Sequence, residues 1–196
     1  MLDLFFARKD DIRLISDSAY SAFSPLHIIV TALVFIFVFR LIRSCSHKKP
    51  GARLLWTYWA YAVLVVLNIA RFIWDLHIGF DVKEDLHLQL CGIQMFAIPV
   101  ALFSRGKAGD YMREFVFSYG TLGFFLALLM PFGTEQEYPL LHFRTIQSIL
   151  YHADLGFVSL MLPGLNYRPR IKHIRKAYLV LLIAVFITGI VNILSG

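Results

Sequence analysis

One cysteine and one histidine in apolar sequence are the residues whose chemistry stands out. Cys91 lies in the segment 86–103, LHLQLCGIQMFAIPVALF, and His152 lies well inside a later apolar segment. In an α-helix His87, Cys91 and Gln94 are spaced at i, i+4 and i+7, so they share one face. A cysteine thiolate is a good nucleophile once a neighbouring imidazole accepts its proton. Cys91 with His152 or His87 is therefore a candidate pair for acyl transfer.

Other polar residues accompany this pair inside apolar segments. Asn68 and Arg71 are spaced to share a helix face, and Gln147 and Tyr151 precede His152 closely. Polar groups at such positions face protein or a water-filled cavity rather than lipid. Guanidinium, amide and phenol groups stabilise an oxyanion or a phosphate. The predicted substrate-binding residues are His27, Asn68, Arg71, His87, Gln94, Gln147 and Tyr151.

Each of these residues also has a structural interpretation. A cysteine inside a membrane helix often serves as a small core residue. Arg71 can extend toward the interface and pair with Asp75, and His87 can be solvated at a helix end. His27, close to Pro25, can cap the first helix. The sequence leaves both interpretations open for each residue.

Composition places the chain among multi-pass membrane proteins. Of its 196 residues 58% are hydrophobic and only 16% are charged, and its mean hydropathy is +0.66. A soluble domain of this size carries far less apolar sequence. The net charge of +6 sits in short loops between apolar segments, so membrane orientation explains it and nucleic-acid binding is not expected. Walker, HExxH, GxSxG and CxxC motifs are absent from the sequence.

The predicted fold is all-α, with six transmembrane helices in one bundle and in one domain, 1–196. An N-terminal amphipathic helix over residues 2–21 is expected to lie at the interface. Pro and Gly mark the breaks, at Pro50-Gly51 and at Pro163-Gly164. A run of small residues from Gly120 to Gly123 suits close helix packing. The six predicted spans are 25–41, 54–74, 86–103, 114–130, 144–162 and 178–194.

The loops predict the orientation of these spans. Thirteen of the nineteen Lys and Arg residues lie at the connections after spans one, three and five. By the positive-inside rule those connections face the cytoplasm, so both termini are expected on the outer side. Cys91 then lies about 8 Å and His152 about 12 Å below the outer boundary, at 1.5 Å per residue. The polar residues inside the spans therefore suggest one cavity that opens toward the outer leaflet.

Several short motifs resemble one family of membrane proteins. Phe23-Ser24-Pro25-Leu26-His27 at the first span is similar to the start of the YwaF-like bacterial integral membrane proteins. The Leu-x-Leu-Cys segment that ends at Cys91 resembles the family's third-span motif. Tyr119-Gly120-Thr121-Leu122 and Leu128-Leu129-Met130-Pro131 resemble its fourth span, and the stretch from Phe143 to His152 resembles its fifth.

This resemblance implies a bundle related to the eukaryotic transmembrane protein 164 family, which transfers acyl chains onto ether phospholipids. It implies a third-span cysteine as nucleophile and a downstream histidine as base, which correspond here to Cys91 and His152. The chain departs from the family at one position. Family members have a histidine two residues before the bacterial cysteine, and this chain has Gln89 there, with His87 two residues earlier.

The leading hypothesis from the sequence is therefore a lipid acyltransferase or acyl hydrolase in the bacterial cytoplasmic membrane. It would act on membrane lipids with a Cys/His pair, without a cofactor and without a metal. One alternative is a non-enzymatic transporter, lipid-binding or receptor-like bundle with a polar outer cavity. A third is a haem redox protein that uses two of His27, His87 and His152 as axial ligands.

Overall fold

The computed structural model describes residues 5–7, 22–80, 90–130, 138–165 and 167–194. In these residues the chain forms helices and no strand, which confirms the all-α prediction. Six helices follow in order: α1 Pro25–Ser46, α2 Pro50–Ile78, α3 Leu90–Phe103, α4 Lys107–Leu129, α5 Phe143–Met161 and α6 Ile174–Leu194. The predicted amphipathic helix over 2–21 lies outside the described residues, apart from 5–7.

The helices begin and end where capping, proline and glycine residues occur in the sequence. Ser24 precedes Pro25 and caps α1, because its hydroxyl accepts a hydrogen bond from the His27 backbone N–H at 3.2 Å. Pro50 begins α2, and a 3₁₀ turn at Leu162–Gly164 ends α5. The loop predicted over 44–53 is shorter than expected: only residues 47–49 separate α1 from α2. Proline is favoured at the first position of a helix, and Pro50 therefore begins α2 four residues before the predicted span at 54.

Among the described residues, four helices are long and apolar enough to cross a membrane: α1, α2, α4 and α6. The described part of α3 has 14 residues, which is about 21 Å at 1.5 Å per residue. Helix α5 has 19 residues but carries Arg144, Gln147, His152 and Asp154, which lower its hydropathy. Six helices are confirmed, whereas membrane crossing by α3 and α5 and the sides of the termini stay predictions.

The most polar of these apolar helices, α5, is also the most enclosed. It packs against α2, α4 and α1, and eleven of its nineteen residues are buried. Large apolar side chains on α1, α2 and α6, such as Phe37, Val66 and Phe186, point outward instead. The outer helices therefore present apolar surface to lipid, and they shield the polar side chains of α5 from it.

Small residues on α4 and α5 allow these helices to approach closely. A Cβ placed on Gly120 would collide with the Ser159 hydroxyl, and one on Gly156 would collide with the Phe124 ring. Gly120 also ends a π-helical turn, Val116–Gly120, which interrupts α4 and was not predicted. The close packing expected for the run from Gly120 to Gly123 is confirmed.

The helix ends form two groups. Helices α1, α3 and α5 end, and α2, α4 and α6 begin, at what we call the basic end, because most Lys and Arg side chains lie there. At this end Arg53 Nη1 donates a hydrogen bond to the Gly164 carbonyl at 3.2 Å. At the opposite end His27 Nε2 bonds the Leu128 carbonyl at 2.9 Å. Cys45 lies near the basic end and Cys91 near the opposite end.

His142 caps α5 at the opposite end. Its Nδ1 accepts a hydrogen bond from the Arg144 backbone N–H at 3.1 Å, so its Nε2 carries the proton and donates to the Ala7 carbonyl at 3.1 Å. The ring is stacked on Tyr138, with 4.2 Å between centroids. Burial, with a smaller contribution from the Arg144 charge, lowers the pKa of His142. The folded protein thus holds this imidazole neutral.

His142 should therefore make stability depend on pH. The unfolded chain binds a proton at the ordinary histidine pKa of about 6.5, whereas the folded chain resists it. This part of the stability is present above about pH 6.5 and is lost as the pH falls below it. Thermal unfolding in detergent from pH 7.5 to 5 should show a smaller decline for His142→Asn, since asparagine caps a helix without titrating. An identical decline in both proteins would contradict this role.

Candidate functional site

His152 has one ring nitrogen whose role is fixed by its contacts. Its Nδ1 lies 2.9 Å from the Ser148 backbone carbonyl and 3.3 Å from the Ser148 hydroxyl. A carbonyl oxygen can only accept, so Nδ1 carries the hydrogen and donates it. In the neutral imidazole the lone pair then belongs to Nε2. This is the tautomer that a general base requires, with one nitrogen oriented by a carbonyl and the lone pair on the other.

Cys91 is tied to the neighbour of this histidine. The Tyr151 hydroxyl donates a hydrogen bond of 2.7 Å to the Cys91 backbone carbonyl, which joins the first turn of α3 to the middle of α5. The Cys91 sulfur packs against α4, 3.1 Å from the place that a Cβ on Gly123 would occupy. Because position 123 is glycine, the sulfur fits between α3 and α4. The structure thus brings together the segments that carry the predicted nucleophile and the predicted base.

Amide side chains connect α2 with α5 around Tyr151. Asn68 is buried, donates to the Leu64 carbonyl at 3.1 Å and also hydrogen-bonds the Tyr151 hydroxyl. Gln147 donates to the Leu67 carbonyl at 3.3 Å. Both residues therefore make contacts within the protein that fix the spacing of α2 and α5. Hydrogen bonds thus connect Asn68 with Tyr151 and Tyr151 with the Cys91 backbone, and Gln147 lies one turn before Tyr151 on α5.

A charged cluster lies next to this region. The Asp75 carboxylate is 1% exposed and accepts from Arg71 Nε at 3.3 Å, which confirms the pairing that helical spacing suggested. Arg144 Nη1 lies 3.8 Å from the other Asp75 oxygen, and its guanidinium stacks over Trp74 at 5.3 Å. Two guanidinium groups therefore lie against one carboxylate. Arg71, 19% exposed, is the more accessible of the two cations.

Gln94 lies one helical turn from Cys91 and is fully buried. In the described part of the chain, neither its amide nitrogen nor its amide oxygen has a hydrogen-bond partner. A buried amide without partners costs free energy, on the order of 1–3 kcal/mol for each unsatisfied group. Such a group near a candidate nucleophile is suited to bind a polar atom of a ligand or a water molecule.

His27 makes its hydrogen bonds with the backbone at this end of the molecule. It is buried between α1 and the last turn of α4, where its Nδ1 accepts from the Phe23 N–H at 3.1 Å and its Nε2 donates to the Leu128 carbonyl. Thr31 donates to the same carbonyl at 3.0 Å, so two side chains satisfy an acceptor that the helix end leaves open. His27 thus holds α1 on α4, and substrate contact by it stays a prediction. His87 lies outside the described residues.

Two features of this end of the molecule have no counterpart in the sequence analysis. The first is the approach of Arg144 to Asp75, which no helical spacing indicates because the two residues lie on different helices. An apolar groove of about 260 Å³ also lies between α3 and α6, with Leu90 and Ile93 on one side and Val185 on the other. Leu90 and Ile93 flank Cys91. A groove between two helices depends on which helices are neighbours, and periodicity does not report that.

The part of the chain that the structure describes holds six helices, four of them apolar and long enough to span a bilayer, and these define an integral multi-pass membrane protein. A model of the TMEM164 family matches residues 20–196, so the chain belongs to this family. This confirms the relation that the short motifs suggested, while membership of the YwaF-like bacterial group stays a prediction. No curated protein and no solved structure matches the chain.

Proposed function

We propose that the protein is a membrane-embedded acyltransferase or acyl hydrolase that acts on lipids through Cys91 and His152. The observation that carries the proposal is the hydrogen bond from His152 Nδ1 to the Ser148 carbonyl at 2.9 Å. It leaves the lone pair on Nε2, on the helix whose Tyr151 holds the Cys91 backbone at 2.7 Å. Membership of the TMEM164 family supports the same class of protein.

The reaction would proceed in two steps. His152 Nε2 takes the proton of the Cys91 thiol, and the sulfur attacks the ester carbonyl of a lipid. The carbon–oxygen bond to the leaving alcohol breaks, that oxygen receives the proton from His152, and the acyl group remains on sulfur as a thioester. A second alcohol, or water in a hydrolase, then attacks the thioester. Its proton passes to His152 and from there to the departing thiolate, which restores the thiol.

Neighbouring groups suit a phospholipid in this reaction. The guanidinium group of Arg71, the more accessible of the two arginines beside Asp75, suits a phosphate, because arginine binds phosphate oxygens with two parallel hydrogen bonds. The buried amide of Gln94 provides a donor one turn from the sulfur for an oxyanion. The apolar groove beside Leu90 and Ile93 provides a surface for an acyl chain. These roles, like those of Asn68, Gln147 and Tyr151 in substrate binding, are part of the proposal.

The same cluster favours a second candidate, a non-enzymatic protein that binds an anionic lipid. In that case Arg71 would matter for ligand binding, and Cys91 would be a packing residue. The third hypothesis, a haem protein, is disfavoured for His27 because backbone groups already bond both of its ring nitrogens.

Covalent labelling separates the first two candidates. Detergent-solubilised protein is treated with a lipid-like, thiol-reactive acyl probe, and wild type is compared with Cys91→Ser and His152→Ala. Cys45→Ser is the matched control, because Cys45 is buried near the basic end. We expect rapid labelling of wild type and of Cys45→Ser, and loss of the rapid phase in the other two. Labelling no faster than that of a simple thiol would refute the Cys/His pair and leave lipid binding through Arg71.

A further inference from the structure

A second polar region lies at the basic end, away from Cys91. It is a cavity of about 920 Å³ between the first turn of α2, the start of α4 and the chain that joins α5 to α6. Five Lys and Arg side chains line it against two carboxylates. Its volume is at the upper end of the range for small-molecule sites. From the sequence alone, these basic residues predict only the orientation of the helices in the membrane.

Both carboxylates of the cavity already have hydrogen-bond partners within the protein. Arg113 Nη2 donates to Asp110 at 2.7 Å. Glu114 is buried and accepts from the Tyr167 hydroxyl at 2.6 Å and from His173 Nδ1 at 2.8 Å. Burial and the Glu114 carboxylate raise the pKa of Tyr167, which keeps its hydroxyl protonated as a donor. The Arg113 charge therefore balances that of Asp110, and the four cations that remain exceed the single charge of Glu114, so the cavity is positive.

The remaining cations come from three parts of the chain. Arg53 extends from α2, Arg168 and Arg170 lie in the connection after α5, and Lys176 belongs to α6. Arg168 and Arg170 are exposed. Arg53 Nη1 bonds the Gly164 carbonyl, but its Nε is buried and has no hydrogen-bond partner among the described residues. This N–H group of a cavity-lining residue can donate a hydrogen bond to a ligand.

The start of α2 adds to this positive potential. The cavity is lined by Pro50 and Gly51, the first residues of a 29-residue helix whose cap, Lys49, makes no side-chain hydrogen bond. The first backbone N–H groups of a helix have no intrahelical acceptor, and they attract anions. No atom lies within 4 Å of the position that a Cβ on Gly51 would occupy, so an anion can approach this backbone.

We propose that this cavity binds the phosphate group of a phosphorylated ligand. Arginine, lysine and the open N-terminus of a helix all bind phosphate in proteins, and all three line this cavity. The phosphate can come from the head group of an anionic phospholipid in the adjacent leaflet or from a soluble molecule. Basic pockets between membrane helices on the side with positive loops bind such head groups in other proteins.

Binding of two probes to the detergent-solubilised full-length protein tests this proposal. The probes are phosphatidylglycerol, by native mass spectrometry with phosphatidylcholine as the neutral reference, and pyrophosphate, by calorimetry. The test variant is the double substitution Arg168→Gln with Arg170→Gln. The matched control is Lys172→Gln with Arg175→Gln, which removes the same charge from the same segment but changes no residue that lines the cavity.

We expect the test variant to weaken binding by at least about tenfold and the control by less than about twofold, since only the first removes direct contacts. Binding of pyrophosphate that competes with the lipid would identify a soluble source, and binding of phosphatidylglycerol alone would identify a head group; both support the proposal. Equal losses in the two variants, equal binding of phosphatidylcholine, or no binding of either probe would overturn it. Labelling of Cys91 should be unchanged in both variants, so this test is independent of the acyl-transfer proposal.

Discussion

Replacement of His152 by glutamine should lower the rate of acyl transfer by about 10²–10⁴-fold, the usual contribution of a general base. Glutamine can still donate to the Ser148 carbonyl, but it cannot take a proton from the Cys91 thiol. Cys91→Ala should reduce turnover at least as much, because it removes the attacking atom. The double variant should be no slower than the slower single variant, since the two residues act as one unit. Turnover of a phospholipid with a labelled acyl chain measures these effects.

Folding controls make this prediction specific. Both variants should unfold within a few degrees of wild type, because Cys91→Ala removes a single sulfur atom from the packing at Gly123 and His152→Gln keeps a donor for the Ser148 carbonyl. Ser148→Ala is a useful companion variant: it removes the hydroxyl at 3.3 Å from Nδ1 but keeps the carbonyl at 2.9 Å, so it should retain most of the activity. Full acyl transfer by both Cys91→Ala and His152→Gln would rule out the proposed chemistry.

Substitution of Gly156 should have the largest effect on folding. A Cβ at this position meets the Phe124 ring, and Phe124 is fully buried with Phe35 against it at 5.2 Å between centroids. The ring has no space to move into, so Gly156→Ala should cost about 1–3 kcal/mol. Gly156→Leu should cost more and leave little folded protein. Thermal unfolding and the yield of monodisperse protein in detergent measure both effects.

The chain offers a control and a rescue for this prediction. Gly189 also lies in a helix, α6, but no atom lies within 4 Å of the position that its Cβ would occupy, so Gly189→Ala should be neutral or slightly stabilising. Phe124→Leu should restore part of the stability that Gly156→Ala loses, because the two positions are in contact and their effects are not additive. Equal effects of alanine at positions 156 and 189 would contradict the packing described here.

Local features of this fold are predictable from the sequence. Hydropathy gives six apolar segments, and Pro25, Pro50 and Pro163 indicate where helices begin or end. Helical spacing gives the pairing of Arg71 with Asp75, because residues four apart lie on one face. The small residues from Gly120 to Gly123 indicate close packing. All of these signals act within one helix or its ends, which is the range over which sequence patterns report structure.

The arrangement of helices around the site is not available from such patterns. Hydropathy ranks α5 as a weak span, yet it is the central helix, because its polar side chains require protein neighbours. The bond from Tyr151 to the Cys91 carbonyl joins residues sixty positions apart, and backbone acceptors carry no sequence signal. The contacts of Glu114 with Tyr167 and His173, which organise the basic cavity, are equally non-local.

The most direct test of the central claim is to look for the acyl group on Cys91. Purified protein is incubated with a phospholipid, quenched in acid, and analysed by intact mass and peptide mapping. The proposed mechanism predicts an added mass equal to one acyl chain on the peptide that contains Cys91, removed by hydroxylamine and absent from His152→Gln. Turnover without any adduct on Cys91, or an adduct on Cys45 alone, would contradict it.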